Sequence, residues 1–147
     1  MDTAAAAVSF HGRLQERAAK FYEELARRYE EGRETFLAFA KEHRNQQRDV
    51  QRVYYNIITD AMEACFAFEG MNENDYRINT ELTEDISYAD VLKMAIDIED
   101  KTYNFCVDGA KRSRGLLHDV PDALEIVAKR TTRRKQTLQS LLEKTKS

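Results

Sequence analysis

The chain has 147 residues, a formal net charge of −3 and a charged fraction of 33%. That length suits one domain with its own core, and the charge gives no general attraction to nucleic acid. One proline and five glycines favour long amphipathic helices. The sequence contains no apolar run of membrane-spanning length and no signal-peptide pattern at its start, so we expect a cytoplasmic protein whose two cysteines are reduced.

Apolar residues at helical spacing predict a first pair of helices. The first helix is expected from Ser9, which would be its N-cap, to Glu31. The second starts near Arg33 and either continues towards Phe68 or breaks near Thr59-Asp60. The short connection predicts that the two helices are antiparallel neighbours.

Residues 70 to 87 form the longest stretch without helical periodicity, which favours a crossover between two helix pairs. Ser87 followed by Asp90 resembles a capping box, and it predicts a third helix from about Tyr88 to Arg112. Pro121 is tolerated in a first turn, so the fourth helix is expected to begin there. Short, long and short connections then join four helices.

The two predicted helix pairs read as a repeat. Adding 84 to a position in the first helix gives its counterpart in the third, as from Leu14 to Ile98. Adding 88 relates the second helix to the fourth, as from Val50 to Leu138. Because both offsets keep one apolar stripe in register, the sequence predicts a four-helix bundle built from a duplicated helix pair.

The segment from Ala95 to Phe105, in which Glu99 precedes an aromatic by six residues, resembles the third helix of the ferritin-like superfamily, closest to its rubrerythrin-type branch. The run from Phe21 to Ala26 resembles the matching part of the first helix. The resemblance implies a single all-α domain over residues 1–147. It would be a ferritin-like antiparallel four-helix bundle with a crossover at about residues 70–87.

Ferritin-like families hold two metal ions with one Glu from each of two helices and a Glu-x-x-His pair from each of the other two. The resemblance places these ligand positions, in chain order, at Gln15, His43, Gln46, Glu99, Thr131 and Arg134. One carboxylate of four remains, and a permanently charged guanidinium occupies a ligand position. A shift of one turn in the second helix would instead place Ala40 and His43 at the pair, which supplies no second carboxylate.

This residue set argues against the family-typical oxidase or peroxidase. We expect a non-catalytic bundle with a structural, regulatory or protein-binding role, no metal and no cofactor. Glu99 and Arg134 would form a buried charge pair, and the neighbouring polar side chains would satisfy the remaining donors and acceptors. The alternative is an oxidoreductase or metal-binding rubrerythrin-like protein with a divergent iron site, for which Glu99 and His43 are the candidate ligands.

Outside these positions the sequence offers weaker signals. His11 and His118 are expected at the surface, and Cys106 is expected as a small core residue. The aromatic stretch from Tyr54 to Phe68 either packs under the crossover or forms a homodimer face, and a further protein partner is unidentified. The basic residues of the second and fourth helices form either a positive strip or a solvated face offset by Glu30, Glu31, Glu42 and Asp49; they are Arg44, Arg48, Arg52, Lys129, Arg130, Arg133, Arg134 and Lys135. Nucleic-acid binding is not expected, because the chain is acidic and no aromatics interleave the cluster.

Overall fold

The structure is a computed structural model that describes residues 1–56, 67–117 and 119–146. Within these ranges it contains no strand and four long helices: α1 (Ala4–Arg28), α2 (Arg33–Asn56), α3 (Tyr88–Ser113) and α4 (Val120–Thr145). A short 3₁₀ helix, Glu73–Tyr76, lies between α2 and α3. The prediction of an all-α fold is confirmed for this part of the chain. The possible break of the second helix at Thr59-Asp60 and the placement of His118 lie outside the described residues.

The starts of α1 and α3 follow from their capping residues. Helix α1 begins before Ser9, because the hydroxyl of Thr3 accepts a 3.0 Å hydrogen bond from the backbone N–H of Ala6. The prediction of Ser9 as the N-cap was therefore wrong: alanine is the strongest helix former, and the alanine-rich segment ahead of Ser9 extends the helix. At α3, Ser87 is the N-cap, and its hydroxyl accepts a 3.1 Å hydrogen bond from the backbone N–H of Asp90.

The two short connections use backbone conformations that few residues adopt. Gly32 has φ of +81° in the turn between α1 and α2, and a Cβ there would lie 2.7 Å from the hydroxyl of Tyr88. Asp119 has φ of +66° directly before α4, and Pro121 occupies the first turn of that helix. Both turns bring consecutive helices into contact.

The helices pack as two sequential pairs, α1 against α2 and α3 against α4, with further contacts of α2 with α4 and of α1 with α3. Their buried faces form one apolar cluster, which includes Leu14, Phe36, Val50, Ile98 and Leu138. None of the helices in the described ranges is long and apolar enough to cross a membrane.

The connection between α2 and α3 is tied to α1 and α3. The guanidinium of Arg28 donates a 2.6 Å hydrogen bond to the backbone carbonyl of Thr83, and the hydroxyl of Tyr29 donates one of 2.9 Å to that of Ile86. The 3₁₀ helix contacts α3, where the hydroxyl of Tyr76 donates to a carboxylate oxygen of Asp108 at 2.6 Å. The described part of the connection, residues 67–87, therefore lies along the α1–α3 side of the molecule, opposite the side on which α2 meets α4.

Candidate functional site

The polar positions singled out in the sequence meet in one buried network at the centre of the four helices. Each is at most 1% exposed: Gln15, His43, Gln46, Glu99, Thr131 and Arg134. Contacts between side-chain nitrogen and oxygen atoms at hydrogen-bonding distance connect all of them. The apolar stripes of the helices carry these side chains inward, because a polar residue within such a stripe points to the core with its apolar neighbours.

Glu99 on α3 is the only carboxylate at the centre of this network, among the residues that the structure describes. Its Oε2 accepts a 2.6 Å hydrogen bond from the hydroxyl of Tyr22 and lies 2.8 Å from Nε2 of His43. Its Oε1 accepts a 2.8 Å hydrogen bond from Nε of Arg134. Both carboxylate oxygens are therefore engaged by side chains from the other three helices.

Arg134 on α4 is almost fully buried, and each nitrogen of its guanidinium has a partner. Besides the bond to Glu99, Nη1 donates to Oε1 of Gln46 at 2.7 Å and to the half-exposed carboxylate of Glu42 at 3.2 Å. Nη2 donates to the hydroxyl of Thr131 at 3.0 Å. Four of the five N–H donors of Arg134 thus have partners, and this pairing offsets the cost of burying its charge.

Arg134 also fixes the direction of the hydrogen bonds that lead away from it, because a guanidinium only donates. Gln46 must offer its oxygen to Arg134, so its Nε2 donates to Oε1 of Gln15 at 3.1 Å. The amide nitrogen of Gln15 then donates to Nε2 of His11 at 3.0 Å. His11 in its neutral form consequently carries its proton on Nδ1, which is buried and without a hydrogen-bond partner among the described residues.

His43 lies between two acceptors. Its Nδ1 is 2.5 Å from Oε1 of Gln15, and its Nε2 is 2.8 Å from the carboxylate of Glu99. Only an imidazolium fills both contacts, but burial lowers the pKa of His43, and the attraction of Glu99 does not restore it. The single proton of the neutral ring belongs on Nε2, where the acceptor is charged. No proton then lies between Nδ1 of His43 and Oε1 of Gln15.

The charges of the network favour an ionised Glu99. Burial alone would raise the pKa of this carboxyl, but the charge that His43 carries when protonated, the cation of Arg134 and the hydrogen bonds from His43 and Tyr22 hold it at about 2. Because His43 is neutral near pH 7, the permanent countercharge is Arg134. Burial and the negative charge of Glu99 raise the pKa of Tyr22 well above its ordinary value, so the phenol remains a donor. Burial would lower the pKa of Arg134, yet Glu99 raises it.

Sequence reasoning missed two members of this network. His11 was predicted at the surface and is 1% exposed, because α1 begins upstream of it and it lies in the middle of the apolar stripe. His11 lies four residues before Gln15 and therefore on the same helix face, which indicated that its side chain is buried. Tyr22 lies in the run from Phe21 to Ala26, but to predict its bond to Glu99 requires knowledge of how α1 faces α3. Cys106 is buried as expected, and burial raises the pKa of its thiol.

The donor set does not fit a pair of divalent metal ions. Two such ions need several anionic oxygens, whereas this cluster offers one carboxylate, one neutral imidazole that bonds to it, and amide and hydroxyl groups. The guanidinium of Arg134 lies on the remaining oxygen of Glu99, so a cation already occupies the position where a metal would bridge the helices. Ala40, the alternative ligand position, lies in the apolar core.

No protein-family model, curated protein or solved structure matches this chain. The class of protein is therefore defined by the structure alone: within the described residues, four helices surround a buried polar network centred on the ion pair of Glu99 and Arg134.

Proposed function

We propose that this chain is a ferritin-like, antiparallel four-helix bundle in which a network of side chains takes the place of a dimetal site. Its role is then structural, regulatory or protein-binding instead of catalytic. The observation that carries this proposal is the 2.8 Å contact between Nε of Arg134 and Oε1 of Glu99, with both side chains at most 1% exposed. A single guanidinium supplies the positive charge that metal ions supply in catalytic ferritin-like bundles.

The arrangement of the helices supports the ferritin-like part of the proposal. The helices form two sequential pairs, and the described part of the connection between the pairs, residues 67–87, lies along one side of the molecule, as in bundles with one long crossover. By the repeat offsets, Gln15 is the counterpart of Glu99 and Gln46 is the counterpart of Arg134. All four side chains meet in the same network. A duplicated helix pair accounts for that symmetry.

The rival function is an oxidoreductase with a divergent iron site. Metal chemistry would require Arg134 and Gln15 to lie outside the core, and both are buried at its centre. The proposal is tested by elemental analysis of protein purified without chelator and incubated anaerobically with Fe(II) or Mn(II). We expect metal no higher than in a Glu99→Gln variant. One or more metal ions per chain, lost in that variant, would establish the rival function.

A homodimer in the cytoplasm is the second part of the proposal. Tyr54 and Phe68 are buried within the chain itself, so these two residues of the aromatic stretch belong to the core. Leu37 and Tyr55 on α2 are each more than half exposed and support an apolar contact with another chain. Light scattering coupled to size exclusion tests it: the wild-type protein should have twice the mass of one chain, and a Leu37→Glu, Tyr55→Glu double variant should be monomeric.

A further inference from the structure

The basic residues noted in the sequence do not form one strip, since several of them turn to different neighbours. Arg44 turns towards α1 and pairs with Glu23 at 2.7 Å. Arg134 is buried in the central network, and Lys135 pairs with Asp100 on α3 at 2.5 Å. The remaining arginines of α2 and α4 face one another across a cleft at the surface.

This arginine cleft has a volume of about 550 Å³ and lies where α2 meets α4, the side away from the crossover. Its walls carry four arginines, Arg48 and Arg52 from α2 and Arg130 and Arg133 from α4. The spacing of four residues on α2 and three on α4 places each pair on one helix face. Guanidinium groups from both walls therefore point into the same space.

The carboxylates of the cleft are already engaged. Asp49 pairs with Arg130 at 3.5 Å, and Glu42 accepts a hydrogen bond from Arg134 beneath the cleft. Arg52 and Arg133 are exposed and form no ion pair with any residue that the structure describes. Four guanidinium groups thus face two carboxylates, and the cleft has positive charge available for a ligand.

We propose that the arginine cleft binds a compact polyanion that carries at least two phosphate groups. A guanidinium presents paired N–H donors that match the oxygens of a phosphate, and donors from two walls suit a ligand with linked phosphates. A volume of about 550 Å³ lies within the range of small-molecule sites, roughly 300–1,000 Å³. Among the residues that the structure describes, no aromatic side chain lines the cleft, and none there offers the stacking surface that single-stranded nucleic acid uses.

The test is isothermal titration calorimetry with sodium tripolyphosphate, with pyrophosphate and ATP as further probes that distinguish an inorganic from an organic source. We expect one tripolyphosphate per wild-type chain, and an affinity that falls as salt is added. The variant Arg52→Gln, Arg133→Gln removes two cleft guanidiniums that make no ion pair in the described chain, so its fold should be kept. Its affinity should fall by at least about tenfold.

Two comparisons separate a site from general charge attraction. The variant Lys20→Gln, Lys129→Gln changes the net charge equally at exposed positions outside the cleft, and its affinity should stay within about twofold of wild type. Asp49→Asn frees Arg130 and removes a negative charge, so it should bind more tightly. Absence of tripolyphosphate binding, an equal loss in the lysine variant, or tighter binding of a single-stranded oligonucleotide would overturn the proposal. None of these readouts depends on the metal content of the bundle.

Discussion

Replacing Glu99 with Gln keeps the shape of the side chain and removes the charge that balances Arg134. The carboxylate has three side-chain partners at 2.6 to 2.8 Å and is fully buried. A buried charge that loses its partner costs about 3–5 kcal/mol. Glu42 remains 3.2 Å from Arg134 and supplies part of the missing negative charge. We therefore expect a loss at the lower end of that range, about 3 kcal/mol of unfolding free energy.

Urea unfolding at pH 7, followed by circular dichroism, measures this loss. With a denaturant slope of about 2 kcal/mol/M, a loss of about 3 kcal/mol lowers the unfolding midpoint by roughly 1.5 M. The matched control is Glu42→Gln, the same substitution at the half-exposed partner of Arg134. That change should cost less than about 1 kcal/mol, because water screens an exposed ion pair.

The interaction energy between Glu99 and Arg134 is isolated by also measuring the Arg134→Met variant and the Glu99→Gln, Arg134→Met double variant. Each single change leaves one buried charge without its main partner, whereas the double change removes both charges. The double variant should therefore lose less stability than the two single variants together. Additive losses, or a cost below about 1 kcal/mol for Glu99→Gln, would refute the view that this ion pair holds the centre of the bundle.

Three further predictions concern other parts of the molecule. Burial lowers the pKa of His11 from 6.5 to about 3, so as the pH falls between these values the unfolded chain binds a proton first and the folded state loses stability; the share of that loss due to His11 should approach about 4 kcal/mol near pH 3, and urea unfolding against pH should show a loss smaller by about that amount in His11→Gln. Cys106 should resist alkylation by iodoacetamide at pH 8 until the protein unfolds, as followed by peptide mass spectrometry, because burial raises its pKa. Gly32→Ala should lower the melting temperature more than Gly115→Ala: both positions have φ above +80°, but only at Gly32 would the new Cβ meet Tyr88.

The sequence was sufficient to predict the four helices because their apolar stripes are long and regular. The start of α3 was also predictable, since the Ser87 cap is a local signal. The start of α1 was missed: both Thr3 and Ser9 are acceptable N-caps, and the choice between them depends on the helix propensity of the intervening alanines and on how these alanines pack. Ala4 and Ala7 are buried against the rest of the fold, and that tertiary contact extends the helix.

The sequence was enough to predict most of the residues that belong to the candidate site, but not which hydrogen bonds they form. Polar residues within an apolar stripe must find partners in the core, which is why Gln15 and Arg134 could be placed there. Which atoms meet depends on how the helices rotate and slide, and no local pattern encodes that. The bond between Tyr22 and Glu99, 77 residues apart, is of this kind. For the same reason the basic residues do not line up as one strip: Arg44 turns to Glu23 on α1, and Lys135 turns to Asp100 on α3.

The hydrogen-bond network also explains how this bundle selects one arrangement of its helices. Every helix contributes to it, for example Gln15 from α1, His43 from α2, Glu99 from α3 and Arg134 from α4. A purely apolar interface tolerates a shift of one helix by a turn, since one aliphatic side chain replaces another. Here such a shift would separate Arg134 from Glu99 and leave buried charges unpaired, which is far more costly. A network of buried polar side chains can thus fix the register of the four helices.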